Sequence, residues 1–488
     1  MKLKHLFNEL DIQLMQGSLD QEISALVYDS RQVKPGSLFA CIKGFQTDGH
    51  LYIRQALDLG AVALMIEDDV ELPEGVPVIK VRNARQALPV IAAAFNGNPA
   101  EKLDLIGVTG TNGKTTVTYL LKMIINQAGI KSGLIGTISN WIGDEPIETI
   151  RTTPESVDFQ RLLNRMVIEK VSTCVMEVSS HSLALYRVDH TRFHTGVFTN
   201  LTEDHLDFHP TMENYYQQKK RLFYLTEHMN LINKDDPYGA RLINDLRADG
   251  VDSVSYGFEG SCDLMAKDLQ LSTKGSTFHV TGLGMNHSVA LHIPGRFSVY
   301  NALGAIGAAR SMNIDPGIIC EALLKVKGVP GRLERVQEIE SLSLIVDYAH
   351  TPDALKNVLQ TIRQFASGRV ITVFGCGGDR DRKKRPLMGA VSGQYSEFSI
   401  ITSDNPRSED PLSIIHSIEE GIVSVGGSYE IIENRREAIR RALCIAKPDD
   451  VVLIAGKGHE TTQTIGHRTM HFDDREVARE LAREEGKA

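Results

Sequence analysis

The stretch Gly107-Val108-Thr109-Gly110-Thr111-Asn112-Gly113-Lys114-Thr115-Thr116 decides the fold. It follows a mostly apolar run, Leu103 to Val108, that reads as a strand. It opens a helical pattern from Lys114 to Ala128, with Gly129 placed to close that helix in a left-handed turn. Strand, glycine-rich turn and helix start together make a phosphate-binding loop. Backbone N–H groups of the turn converge on an anion, and the helix N-terminus adds the positive end of its dipole. Lys114 has the reach for the outer phosphates of a nucleotide, and the Thr115 hydroxyl suits Mg²⁺. The strict Walker spacing is not met, because Val108 stands where that pattern has its first glycine; glycines fall instead at 107, 110 and 113.

Outward from this loop, a chain of 488 residues predicts about three domains. A net charge of −9 argues against general nucleic-acid binding. The cysteines at 41, 174, 262, 320, 376 and 444 are scattered with no C-x-x-C, so neither a zinc site nor a disulfide framework is expected, and most read as small apolar fillers. Glu9 and Asp11 interrupt any signal-peptide core, and no apolar run is long enough for a bilayer. The expectation is a cytoplasmic protein with no membrane and no nucleic-acid partner.

Residues 1–98 form a first, smaller unit. It carries strand-like runs such as Leu38 to Ile42, a polar turn at Asp29-Ser30-Arg31 that reads as solvated, and a short helix, Leu88 to Phe95, with Pro89 in its first turn. It ends at Asn96-Gly97-Asn98-Pro99. Residues 99–330 form a second unit of alternating β and α character. Beyond the loop, Val171 to Met176 leads into Glu177-Val178-Ser179-Ser180-His181, Phe193 to Thr199 into Asn200 and Glu203-Asp204-His205, and Met229 to Ile232 into Asn233-Lys234-Asp235-Asp236. Ligands of open α/β sheets sit beyond the carboxyl ends of the strands, so the loop, Glu177 and His205 are expected in one crevice. In the predicted helix Glu213 to Tyr224, Lys219 has Tyr215, Tyr216, Leu222 and Phe223 on its own face. A lysine in an apolar stripe snorkels, pairs or is chemically altered, and snorkelling is what the pattern alone favours.

Residues 331–488 repeat the device. Leu344 to Val346 ends at Asp347-Tyr348-Ala349-His350. Val370 to Phe374 ends at a run from Gly375 to Arg382. Phe398 to Thr402 ends at Ser403-Asp404-Asn405-Pro406-Arg407, and Val451 to Ala455 at Gly456-Lys457-Gly458-His459-Glu460. A second doubly wound sheet with a polar rim is expected, closed by an amphipathic helix from Asp473 to Glu485 with Val477 and Leu481 inward. Such parts suit phosphoryl transfer between bound molecules. An ATP-driven ligase competes with a nucleotide switch, for which Asn233-Lys234-Asp235-Asp236 matches a guanine-reading N-K-x-D; the switch lacks a D-x-x-G at a suitable distance after the loop.

The motifs Gly110-Thr111-Asn112-Gly113-Lys114-Thr115-Thr116, Thr152-Thr153-Pro154, Met176 to His181, Asn200-Leu201-Thr202 with Asp204-His205-Leu206-Asp207, Asp347-Tyr348-Ala349-His350 and Asp404-Asn405-Pro406-Arg407 carry a resemblance. The whole chain resembles the Mur ligases of peptidoglycan precursor synthesis, and the departure from Walker spacing is a trait of that family. The resemblance implies three α/β domains: a small N-terminal domain for a UDP-N-acetylmuramoyl (UDP-MurNAc) substrate, a central P-loop-type domain with a mostly parallel sheet for ATP, and a C-terminal Rossmann-like domain for the amino acid. It implies that ATP phosphorylates the D-Glu γ-carboxylate of UDP-MurNAc-L-Ala-D-Glu and that an amine attacks the acyl phosphate.

By the same resemblance, Lys114, His205 and Lys219 are catalytic. Thr115 and Glu177 belong to one Mg²⁺, His205 and Lys219 to a second, with Lys219 converted by CO₂ to a carbamate. Gly110 to Thr116 together with Asn301, Arg332 and Asp347 contact ATP. Ser30 and Phe45-Gln46-Thr47 match the uridine-binding part, and Thr152, Thr153, Ser179 and Arg187 the muramoyl dipeptide contacts; Leu185 departs from a Gln found in many relatives. Amino-acid selection falls to Arg380, Asp404, Asn405, Pro406, Arg407, Gly456 and Glu460. The arginine fork suits the far carboxylate of meso-diaminopimelate, which L-Lys lacks. An L-Lys-adding ligase and folylpolyglutamate synthase remain as alternatives; in the latter the Asp404–Arg407 motif has no role. A monomer is expected.

Overall fold

The computed structural model describes residues 1–44, 47–71, 74–336 and 342–486. Three large sheets follow one another along the chain, with a two-stranded ribbon, Thr462–Ile465 and Arg468–His471, after the third, and the expected α/β class holds throughout. The central sheet is built outward from the strand Asp104–Thr109. On one side lie Phe193–Phe198, Thr226–Asn233 and Val254–Gly257; on the other lie Thr173–Glu177 and Ser132–Ile135, all parallel. The strand order therefore reverses at Asp104–Thr109, which opens a crevice at its carboxyl end, where the glycine-rich loop begins. Alternation sorts this strand's side chains to two cores. Leu105 joins Phe159, Leu163 and Met176, while Ile106 and Val108 join Leu120, Leu121 and Ile124. Gly107 faces the first core so closely that a Cβ there would lie 2.9 Å from the Phe193 ring.

The helix after the loop is Lys114–Gln127. It ends as its sequence implies. Gly129 takes φ +78°, its N–H reaches the Asn126 carbonyl, and the Ile130 N–H reaches that of Ile125. The sheet also extends into an antiparallel meander, Leu264–Ser272, Gly275–Gly282 and Met285–Leu291, that the sequence reading did not identify.

The first sheet has the order Ile12–Gln16, Val78–Val81, Ala61–Ile66, Ser37–Ala40, Ala25–Val27, parallel except for its first strand. Its last helix starts earlier than expected. Asn83 caps Ala84–Phe95 by accepting the Gln86 N–H at 3.0 Å, so Pro89 lies inside the helix rather than in its first turn and removes one interior hydrogen bond. Ser30 is buried rather than solvated, with Asp29 capping the short turn around it. Of the six cysteines, none of them in a disulfide among the described residues, Cys41, Cys174 and Cys376 are core fillers; Cys262 and Cys320 are half-buried and Cys444 is exposed.

The third sheet runs Glu334–Arg335, Ser343–Asp347, Val451–Ala455, Val370–Phe374, Phe398–Ile401, Tyr429–Ile431, parallel after its first strand. The helix Asp474–Glu484 packs Val477 and Leu481 inward as its pattern predicts. At its start Asp474 pairs with Arg435 at 2.7 Å, both side chains fully buried. Arg435 also donates to the carbonyls of Ala455 (3.0 Å) and Ser403 (3.4 Å), so it binds together two strand ends that carry the polar rim. Breaking a buried pair leaves an uncompensated charge. Asp474→Ala is therefore expected to destabilise the C-terminal unit by about 3–5 kcal/mol, read by hydrogen exchange of its strand amides under denaturant; a loss below about 1 kcal/mol would contradict this account.

Candidate active site

The glycine-rich loop is clamped from two sides. Gly110 has φ +150°, and a Cβ there would lie 1.9 Å from Thr199 Oγ1; a Cβ on Gly113 would lie 2.3 Å from Asn301 Oδ1. The Thr111 N–H donates to the Asn200 carbonyl and the Asn112 N–H to Asn200 Oδ1, each at 2.9 Å, and Thr199 Oγ1 donates to the Asn112 carbonyl at 2.6 Å. Two lysines close over the loop. Lys114 Nζ donates to the carbonyls of Gly110 (2.9 Å) and Thr111 (2.8 Å), and Lys219 Nζ donates to the same Gly110 carbonyl at 2.7 Å.

Lys219 does not snorkel. It is 1% exposed, with Nζ 4.7 Å from the centre of the Tyr215 ring. Its helix, Met212–Lys220, ends one residue later and tightens into a 3₁₀ turn, Arg221–Tyr224, instead of running on as one α-helix. Burial, and then the charge of Lys114, push Lys219 well below the ordinary lysine pKa, against the pull of Asp204. Lys114 is lowered in the same direction by burial, opposed by Glu177.

Glu177 ends its strand buried. Its Oε2 accepts the hydroxyls of Thr115 (3.1 Å) and Thr137 (3.0 Å), and its Oε1 the Thr137 N–H at 2.8 Å. Arg332 Nη2 donates to Thr115 Oγ1 at 3.2 Å across 217 residues of chain. Hydroxyl and carboxylate oxygens converging at a helix N-terminus are a hard donor set that fits Mg²⁺. His205, at φ +54°, stands with its ring centre 4.8 Å from that of His181 and 6.2 Å from that of Tyr215. Burial lowers its pKa, Asp204 opposes this, and Lys114 and Lys219 reinforce it. The three strand ends read from the sequence thus meet at one place.

Two cavities flank this centre. One, of about 530 Å³, is lined by Asn112, Gly113, Thr116, Asn301, Arg332 and Asp347, which joins six of the expected nucleotide contacts. The Asp347 carboxylate itself is turned to the backbone, accepting the N–H groups of Leu333 (2.7 Å) and Ala349 (2.8 Å), and burial raises its pKa. It therefore fixes the segment that carries Arg332. The other cavity, of about 830 Å³, has Glu203, Asp204 and His205 on its central-unit side. Facing them are Arg380, Asp404, Asn405, Arg407, Gly456 and Glu460; Pro406, between them in sequence, is not on the lining. Arg407 takes φ +51° and donates from Nη1 to the Gly378 carbonyl at 2.7 Å.

Thr152, Thr153, Ser179 and Arg187 gather on the other flank of Glu177. Thr152 and Thr137 share a hydroxyl contact at 3.1 Å, and Thr153 Oγ1 donates to the Glu177 carbonyl at 2.8 Å. The Ser179 N–H donates to Thr153 Oγ1 at 3.2 Å, and Arg187 donates to the Thr153 carbonyl at 3.1 Å while pairing with Glu155 at 2.8 Å. Ser30 stays in the first unit, donating to Gln55 at 3.0 Å. That unit is tied to the central one by Tyr28, whose hydroxyl donates to Asp158 at 2.6 Å. Of Phe45-Gln46-Thr47, the first two lie outside the described residues, and Thr47 bonds the Tyr52 hydroxyl at 2.9 Å.

The guanine-reading tetrapeptide has another use. Asn233 donates to the Thr199 carbonyl at 2.8 Å, and Asp236 caps the helix Pro237–Ala248, accepting the N–H groups of Tyr238 and Gly239, each at 3.0 Å. Both side chains hold backbone, which removes the switch reading. The sequence reading also missed Asp353. It lies in the first turn of Pro352–Arg363 and accepts from Thr202 Oγ1 (2.9 Å) and Asn112 Nδ2 (3.5 Å), joining the C-terminal unit to the phosphate loop. An acidic residue after Thr351-Pro352 is an ordinary helix-start signal, so nothing local marked it.

Three family profiles match in tandem: Mur ligase family, catalytic domain, over residues 22–96; Mur ligase middle domain over 108–309; and Mur ligase, glutamate ligase domain over 331–458. The chain belongs to the Mur ligase family. It is an ATP-dependent ligase. It is 50% identical over 486 residues to the UDP-N-acetylmuramoyl-L-alanyl-D-glutamate–2,6-diaminopimelate ligase of Alkaliphilus oremlandii, covering 100% of both chains. Identity to the ligase of the same name from Alkaliphilus metalliredigens is also 50%, over 487 residues, covering 100% of this chain and 98% of the relative. A solved structure titled as a ligase of that name superposes with a TM-score of 0.73 at 30% identity, covering 100% of both chains. Among the described residues no helix is long and apolar enough to cross a membrane.

Proposed function

We propose that this Mur ligase joins meso-diaminopimelate to the D-Glu γ-carboxylate of UDP-MurNAc-L-Ala-D-Glu in peptidoglycan precursor synthesis. The observation that carries the reading is the 830 Å³ cavity, which has Asp204 and His205 at one wall and Arg380, Asp404, Arg407 and Glu460 at the other, beside the phosphate loop. The first unit, residues 1–98, takes the UDP end through Ser30 and the segment around Thr47. Thr152, Thr153, Ser179 and Arg187 hold the dipeptide. The unit 99–330 holds ATP between the loop and Asn301, with Arg332 and Asp347 supplied from the unit 331–488.

The reaction balances in two steps. A γ-carboxylate oxygen attacks the terminal phosphorus of ATP, and ADP leaves. The amine then attacks the acyl carbon, inorganic phosphate leaves, and the nitrogen gives up a proton. A carboxylate is a poor electrophile, and the phosphoryl group provides its leaving group. Lys114, released from the loop carbonyls, follows the negative charge on the transferring group. Thr115 and Glu177 would hold one Mg²⁺, and His205 with carbamylated Lys219 a second. Bound Mg²⁺ supplies charge neutralisation on the phosphoryl oxygens. Lys219 as an ammonium cannot ligate a cation, so the second set fits only after its neutral amine has added to CO₂ and lost a proton. Burial supports that chemistry because it favours the neutral amine. The enzyme acts as a cytoplasmic monomer.

The test is phosphate release from Mg-ATP and UDP-MurNAc-L-Ala-D-Glu with meso-diaminopimelate, L-Lys or no amine. Release is expected with diaminopimelate alone; equal release in all three arms would refute a selective ligase.

A further inference from the structure

Lys457, in the Gly456–Glu460 turn, is not on the cavity lining, and it is fully buried. The glycines on either side force this. Gly456 (φ +114°) is so close to Asp404 that a Cβ would lie 2.5 Å from Oδ2, and Gly458 (φ +54°) so close to Tyr348 that a Cβ would lie 2.7 Å from its side chain. The turn is pressed flat against both neighbours, and the lysine passes beneath it. Its Nζ donates to the Thr462 carbonyl at 2.5 Å and to Asn405 Oδ1 at 3.3 Å, and it lies 3.5 Å from Glu460 Oε2 and 3.9 Å from Asp404 Oδ1.

A fully buried ammonium is expensive even beside two carboxylates at 3.5 and 3.9 Å, and an apolar side chain of its length would fill the space at less cost. Its effect on its neighbours is therefore what distinguishes it. Asn405 Oδ1 accepts from both Lys457 and the Thr464 N–H (2.9 Å), which fixes which end of the amide is oxygen. The amide nitrogen is left to donate to Glu460 Oε2 at 2.9 Å. Lys457, Asn405 and Glu460 form a chain that ends at the cavity wall, with Asp404 alongside.

We infer that Lys457 is a positioning residue that holds Asn405, Asp404 and Glu460 as one preset acceptor for the ammonium end of the incoming amino acid. This rests on the ligase reading above. Two carboxylates on one wall repel each other. Burial and then Asp404 raise the Glu460 pKa, and Lys457 and the Asn405 amide oppose them. The other groups facing this corner are the Tyr348 hydroxyl and, from behind, the Arg435 guanidinium. Without Lys457, Glu460 ionises at higher pH. Affinity for the ammonium is then poor near neutrality and recovers as pH rises.

The test is steady-state kinetics of Lys457→Met in the full-length enzyme. The expected result is a KM for meso-diaminopimelate raised about tenfold near pH 7 and falling at least about threefold by pH 8.5, with KM for ATP and for the UDP-linked substrate unchanged. In the double variant with Glu460→Gln, Lys457→Met should add nothing to the KM effect of Glu460→Gln alone, since both act through one carboxylate. Additive losses, or a pH-independent fall in kcat with KM intact, would show a merely structural lysine and overturn the inference. If Lys457→Met does not fold, Asn405→Ser cuts the link with the lysine in place, and the same KM rise and pH trend are expected; their absence overturns it equally. Failure of the wild-type enzyme to use diaminopimelate would instead be a failure of the ligase reading.

Discussion

Lys219→Ala is expected to abolish turnover, by at least about three orders of magnitude in kcat, while leaving the fold and ATP binding in place. The fold should survive because the side chain lies buried against Tyr215 and, among the described residues, donates only to the Gly110 carbonyl, which Lys114 also serves at 2.9 Å. Removing one of the two lysine donors leaves that carbonyl still hydrogen-bonded. On the proposed carbamate reading, what is lost is the ability to present a carboxylate beside His205. The lowered pKa gives the trend for wild-type enzyme without added bicarbonate. The neutral amine is the form that adds CO₂, so activity should fall as pH drops through the folded-state value and return with bicarbonate. Two observations check the account beyond loss of rate. The wild-type protein should carry the mass of one CO₂ under conditions that preserve carbamates, and a short carboxylic acid should partly restore turnover to Lys219→Ala but not to Glu177→Ala. Normal activity in Lys219→Ala would end the carbamate reading.

The sequence made the chemistry legible where it was written locally. Val451–Ala455 is a continuous apolar run and Val370–Phe374 one broken only by Thr372, both are closed by glycine, and their bounds in the structure are those of the pattern. The polar residues after each strand mark the crevice, because only loop positions tolerate them there. Legibility failed where two opposing signals meet in one residue or where the partner is distant in sequence. Pro89 reads as a helix start, yet the Asn83 cap and the apolar positions Ala84, Ala87 and Leu88 outweigh one missing hydrogen bond. The meander from 264 to 291 mixes exposed and buried positions with many polar residues, so its alternation is weak. Lys219 in a stripe of aromatics cannot be told from a snorkelling lysine until the Gly110 carbonyl, 109 residues away in sequence, is seen to accept its hydrogen bond. Asp353 and Lys457 carry no local mark, since what distinguishes each is a contact 52 residues or more along the chain.

Arg407→Ala is expected to lower kcat/KM for meso-diaminopimelate by about three orders of magnitude, near 4 kcal/mol, while ATP binding is unchanged. The separation follows from the two cavities. Arg332, Asn301 and Asp347 line the smaller one, and Arg407 lines only the larger. On the proposed assignment, a guanidinium there would meet a planar carboxylate with two parallel donors, which an ammonium cannot do, so Arg407→Lys should recover little. The backbone complicates the alanine variant, because Arg407 sits at φ +51°, where a side chain other than Gly or Asn is disfavoured by about 1 kcal/mol or more. Arg407→Asn is the cleaner probe: it accepts that conformation and removes only the charged fork. The two variants should therefore lose diaminopimelate use alike and differ in stability. The loop around the arginine is held independently. The Asp379 N–H donates to Glu409 at 2.7 Å, and buried Arg385 pairs with the same carboxylate at 2.8 Å, so Gly378 and Arg380 keep their places when the side chain at 407 is cut. With the fork gone, the enzyme should discriminate diaminopimelate from L-Lys by no more than about tenfold, because the remaining contacts see only the end that the two amines share. Discrimination retained at the wild-type level in both variants would move the specificity element to Arg380 or out of this cavity altogether.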